Sequence, residues 1–123
     1  MGLTTLNTVP TNSHQSVVYI IQELPGTKIG APKFNIMGAQ KFGTLKTLLP
    51  EHSQIILSPG PLIFKLRKLL DKYTPKDYLL LTGDPAIIGV ACSIVADKTG
   101  GKFNLLKWEP LNLILWELKS LAH

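Results

Sequence analysis

DYLLLTGDPAIIGVACSIVADKTGGKFNLLKW, residues 77–108, decides the fold. DYLLLTG (77–83) is apolar without polar alternation, as expected of a strand covered on both faces. Asp84 is placed to cap a helix whose first residue is Pro85, since a proline lacks the N–H that a first turn leaves unpaired. That helix is predicted to run to about Lys98 and to end at Gly100-Gly101, where a left-handed residue is needed. KFNLLKW (102–108) follows as a strand. Upstream, QIILS (54–58) reads as a strand and Pro59-Gly60-Pro61 as a helix start. In LIFKLRKLLDKY (62–73), Leu62, Leu66, Leu69, Leu70 and Tyr73 share one side, which Ile63 extends, and Lys65, Lys68 and Lys72 share the other. Strand, helix, strand, helix, strand with short joints implies parallel pairing through right-handed crossovers. The expectation is a small three-layer α/β domain of Rossmann-like character, with a mostly parallel sheet and a βαβαβ core at 54–108.

Outward from this core, SVVYIIQEL (16–24) is a β-branched and aromatic run that reads as a buried strand. Residues 25–43 hold four Gly and two Pro and read mostly as loop. TLKTLL (44–49) reads as a short edge strand. Residues 1–15, rich in Thr, Asn and Ser, read as a flexible leader before a single domain at 16–123. The apolar C-terminal element at 110–121 has more apolar residues than one side can hold. With Pro110 as a helix start, Leu111, Ile114, Leu115 and Leu118 form a stripe, and Leu113 and Trp116 fall outside it, which suits a contact surface.

The composition narrows the function classes. Charged residues are 17% of the 123, below the usual quarter, so part of the surface is expected to be covered, for instance by another copy of the chain. No apolar run reaches the roughly 18 residues needed to cross a bilayer. The start lacks the plan of a signal peptide, and one cysteine, Cys92, cannot form an internal disulfide. A cytoplasmic protein without membrane contact is the expectation. The net charge of +5 suits either solubility or an acidic partner.

Candidate binding residues follow from the topology. Ligands of parallel sheets sit beyond the carboxyl ends of the strands, where helix N-termini favour anions. Gly26, Gly60 and Gly83 would admit a phosphate to the backbone, Lys28 would add a cation, and Ser58 and Thr82 would donate hydroxyls. Against this stand the absence of GxGxxG and GxxxxGK[ST] and the negative charge of Asp84 at the helix start. On the helix at 85–98, Ala86, Gly89, Ser93 and Ala96 line one side and would allow close packing, so Ala86, Gly89 and Ser93, with Leu113 and Trp116, are candidates for a subunit interface. Lys65, Lys68 and Lys72 with Phe64 form a basic helix face that could touch phosphates and stack on a base. Catalytic constellations are scarce. His52 sits in a Pro-Glu-His turn, Cys92 among apolar helix residues, and Glu23 at a strand end is the carboxylate to test as an acid or base. No spacing of Cys or His suits a metal, and no motif names a cofactor.

VVYIIQE, FGTLKTLLP, ILSPGP, DYLLLTGDPAIIGVAC and GGKFNLLKW occur in that order. In this respect residues 17–108 resemble a group of small uncharacterised proteins of tailed bacteriophages, notably those of marine bacteria and cyanobacteria. The resemblance implies a phage-encoded protein working in the cytoplasm of the infected bacterium. It brings no established activity and no catalytic residues. Relatives of that group continue after the position of Trp108 with a charged, Tyr-containing strand, where this chain has LNLILWELKSLAH.

The expected function is a non-catalytic phage accessory protein that self-associates and binds a host or phage protein, with a small anion at the strand ends as a further ligand. Two alternatives stand beside it: a nucleic-acid-binding protein using the basic helix face, and a nucleotide-handling enzyme.

Overall fold

The computed structural model describes residues 15–23, 36–51, 53, 59–109 and 114–118. Five strands form one sheet: β1 (Val17–Gln22), β2 (Thr44–Leu49), β3 (Tyr78–Leu80), β4 (Asn104–Glu109) and β5 (Ile114–Leu118). Their spatial order is β2-β1-β3-β4-β5. The first four are parallel to one another, and β5 runs antiparallel to β4. Two helices, α1 (Gly60–Leu69) and α2 (Pro85–Thr99), and a 3-10 segment at Ile36–Phe42 complete the described elements. This is a small α/β domain with a mostly parallel sheet, and TLKTLL is the edge strand expected of it.

Alternation along the strands sends side chains to two covered faces. Tyr19, Ile21 and Leu79 join Leu66 and Leu70 of α1 and Ile87, Ala91 and Val95 of α2 in one core. Val18, Ile20, Leu80 and Leu106 form the second, closed by Ala39 and bordered by Phe42. Both helices therefore lie on one face, and the 3-10 segment lies on the other. Right-handed crossovers that travel in opposite directions across a sheet place their connections on opposite faces. The 3-10 segment belongs to the β1-to-β2 connection, and the helices to connections running the other way. Residues 36–42, read from their glycines as loop, thus supply the second cover, with Ala39 fully buried.

The α2 boundaries are those its sequence dictates. The Asp84 carboxylate accepts from the Ala86 N–H at 2.8 Å. Gly100 takes the left-handed conformation, φ 67°, and the Gly101 N–H bonds Ala96 O. By contrast α1 stops at Leu69, short of the expected Tyr73. The chain turns there because Tyr73 is drawn inward: it is 2% exposed and its hydroxyl donates to Asp77 O at 2.9 Å.

Three further expectations need comment. The strand beside β3 on the side away from β4 is β1, supplied from outside residues 54–108, and residues 54–58 lie outside the described residues. So do residues 1–14 of the expected leader. The helix read at Pro110 is corrected: Ile114–Leu118 is a strand, paired with β4 from Leu105↔Leu118 to Glu109↔Ile114. A dense apolar run fits either period, and the open edge of β4 selects the extended form.

Burial raises the pKa of Tyr73 above its ordinary value of 10.0, and Tyr19 shifts the same way. Their stabilising contribution is complete below pH 10.0 and is lost as the pH climbs past it, because the unfolded chain releases these protons first. Urea midpoints measured across alkaline pH should fall, and Tyr73→Phe should flatten that fall while costing about 1 kcal/mol at neutral pH through the lost hydrogen bond.

Candidate functional site

The point at which the chain's crossovers change direction along the sheet lies between the parallel strands β1 and β3, the usual ligand position of such folds. Here Gln22, the last residue of β1 and 2% exposed, fills it. Its Nε2 donates to Pro50 O, Glu51 O and Ser53 O at 3.1, 3.1 and 2.9 Å, and its Oε1 accepts from the Asp84 N–H at 2.8 Å. The amide orientation follows from these partners, because only the nitrogen can donate to carbonyls, its two hydrogens being shared among the three. The Gln22 N–H donates to Thr82 Oγ1 at 3.1 Å, and the Thr82 hydroxyl donates back to Gln22 O at 2.7 Å. Gly83 has φ 98°, and a Cβ there would collide with the Gln22 side chain.

Of the six residues expected to hold an anion, Thr82 and Gly83 are thus brought together, in a join between strand, loop and helix. Gly60 opens α1 at the surface. Gly26, Lys28 and Ser58 lie outside the described residues, as does His52. Glu23 is partly buried just past β1, with its N–H on Leu49 O.

The basic face divides. Phe64 is 63% exposed, with Lys68 Nζ 4.7 Å from its ring centroid and Lys65 exposed on the same helix. Lys72 stands beyond the end of α1 and lines a different hollow. On α2, Ala86, Gly89 and Ser93 are exposed and line a groove closed on its other side by Ile63 and Arg67 of α1, with Asp97 further along α2. Ser93 Oγ is occupied by Gly89 O at 2.9 Å. Leu113 lies outside the described residues, and Trp116 falls within β5. Cys92 is half-buried, and burial pushes its thiol pKa up, which suits packing better than nucleophilic attack. Among the described residues no group of His, Cys, Asp and Glu could hold a metal ion, and no helix is long and apolar enough to cross a membrane.

One feature was not anticipated. At the amino ends of β1 and β3 a hollow of about 580 Å³ opens, lined by Tyr19, Lys46, Lys72, Thr74, Lys76 and Asp77. Asp77 is buried there. Its Oδ1 accepts from the Val17 N–H at 2.9 Å, and its Oδ2 from the Thr74 N–H and hydroxyl at 2.8 and 3.1 Å. No sequence spacing links residues 19, 46 and 72–77. The one available signal was a tyrosine among the aliphatic residues at 17–21.

The model of the Phage Pam3 gp32-like protein family matches residues 16–112. The chain belongs to this family of phage proteins. The span shared with the Pam3 gp32-like family holds all four parallel strands and both helices, and it stops before β5. The family's activity is unknown. Comparison with curated proteins and with solved structures gives no match.

Gln22→Leu should remove about 2 kcal/mol or more of stability, because the Asp84 N–H and the carbonyls of the 50–53 turn lose a buried partner. Gly83→Ala should cost more than about 1 kcal/mol through its positive φ and the clash. Both are read from urea denaturation. A Gly83 substitution therefore reports on folding before it reports on any ligand.

Proposed function

We propose that this Pam3 gp32-like protein is a non-catalytic accessory protein of the infected host cytoplasm that acts by binding, and that its first partner is a second copy of itself. The observation that carries this reading is Gly89. It lies in the middle of α2, is exposed, and a Cβ there would meet nothing within 4 Å. A mid-helix glycine costs roughly 1 kcal/mol against alanine, and nothing among the described residues offsets it. Close approach of another backbone would. The surroundings agree: α2 carries no charge from Pro85 to Ala96, although Pro85, Ala86, Gly89 and Ser93 face outward. The neighbouring groove carries both Arg67 and Asp97, so it offers both signs to a twofold-related copy.

Sedimentation across a range of protein concentrations tests this. The wild type should show a concentration-dependent oligomer. Gly89→Arg should weaken association about tenfold or more, and Gly89→Ala should raise monomer stability by about 0.5–1 kcal/mol. A wild type that sediments as a monomer throughout would sink the reading.

A second reading, single-stranded nucleic-acid binding on α1, is favoured by the exposure of Phe64 beside the exposed Lys65 and Lys68. It predicts oligonucleotide affinity that falls steeply with salt and drops about fivefold or more in Phe64→Ala, since each stacked base contributes about 1–3 kcal/mol. Affinity that ignores both changes would exclude it.

A further inference from the structure

We infer that the hollow at the amino ends of β1 and β3 binds a small molecule carrying a phosphate monoester on an apolar body. The hydroxyl of Tyr19 is the first ground. Tyr19 is 3% exposed and lines the hollow, yet among the described residues its hydroxyl makes no hydrogen bond. Buried polar groups are almost always paired, so a bare hydroxyl at the wall of a cavity marks a place where a partner belongs. Desolvation, with the nearby Asp77 charge, raises its pKa, so it keeps its proton and acts as a donor at neutral pH.

Charge is the second ground. Lys46, Lys72 and Lys76 come from two separate parts of the chain and converge on the same hollow. Lys46 pairs in register with Tyr19 across the β1–β2 ladder, and its Nζ lies 5.7 Å from the Tyr19 ring centroid. Asp77 is the opposing carboxylate, and both of its oxygens already accept from Val17 and Thr74. Three cations against one carboxylate leave two positive charges, which match a phosphate monoester of about −1.5 to −2 better than a single carboxylate.

Size and lining supply the third. About 580 Å³ falls within the range of roughly 300–1,000 Å³ typical of small-molecule sites and exceeds what a bare phosphate needs. The Tyr19 ring, Val17 and Pro75 offer apolar contact for the remainder.

Calorimetric titration with phenyl phosphate, inorganic phosphate and phenol tests the inference. Phenyl phosphate should bind and weaken with added salt, inorganic phosphate should bind about tenfold less tightly, and phenol should give no binding heat. Tyr19→Phe should keep or raise the melting temperature, because it removes only an unpaired hydroxyl, and should weaken phenyl phosphate about tenfold. Lys46→Ala with Lys72→Ala should weaken it about a hundredfold. No binding of phenyl phosphate, inorganic phosphate binding equally well, or unchanged affinity in Tyr19→Phe would each overturn the proposal. So would a lowered melting temperature in Tyr19→Phe, which would make the hydroxyl structural. The hollow shares no residue with the outer face of α2, so sedimentation and calorimetry can fail independently.

Discussion

The central strand of the sheet, β3, is three residues long and is flanked at both ends by buried polar side chains that bond to other parts of the chain. At its amino end Asp77 ties the start of β1 to the 74–77 turn. At its carboxyl end Gln22 and Thr82 exchange two hydrogen bonds. A ladder this short supplies few backbone bonds of its own. Its register therefore depends on these two fastenings, and a slip by one residue would send Leu79 away from the helices and toward the 3-10 segment. Each fastening is polar, buried and internally satisfied, so it specifies one arrangement where apolar packing alone would tolerate several.

The fastenings divide the two ends of the sheet by chemistry. At the carboxyl end, the Gln22 side-chain amide reaches Pro50, Ser53 and the N-cap of α2, while its backbone holds the Thr82 hydroxyl. The groups that usually receive a ligand in parallel sheets are there engaged with one another. At the amino end Asp77 is equally engaged, but Tyr19 and three lysines border open space. The proposed phosphate site draws on this difference, since among the described residues the lysines that border a hollow with Tyr19 lie at the end opposite the customary one.

The outer side of α2 follows a different logic. Ile87, Ala91, Ile94 and Val95 satisfy the core, and the remaining circumference has small and apolar residues where a solvated helix would carry charge. With α1 lying beside it on the same face, the described elements leave that side uncovered. The proposed contact rests on the exposed glycine at its centre, whose cost to the helix nothing among the described residues offsets.

Local chemistry was readable directly. Asp84-Pro85 opens α2, Gly100 closes it, and unbroken apolar runs mark β1 and β3, because caps, positive φ and two-sided burial depend on residues close together in the chain. The resemblance to tailed-phage proteins was legible for the same reason, in motifs spanning the segment that the family match covers. Pairing was not: β1 as the neighbour of β3, Ile114–Leu118 as a strand on β4, and Tyr73 leaving α1 to reach Asp77 all answer to hydrogen-bonding groups supplied from elsewhere. The role of Gln22 and the convergence of Tyr19, Lys46 and Lys72 likewise exist only once the sheet has formed. Sequence by itself determined which segments bury and where α2 begins and ends. Tertiary structure alone decided which polar groups were consumed by the fold and which remained free to bind, because that balance is struck between residues tens of positions apart.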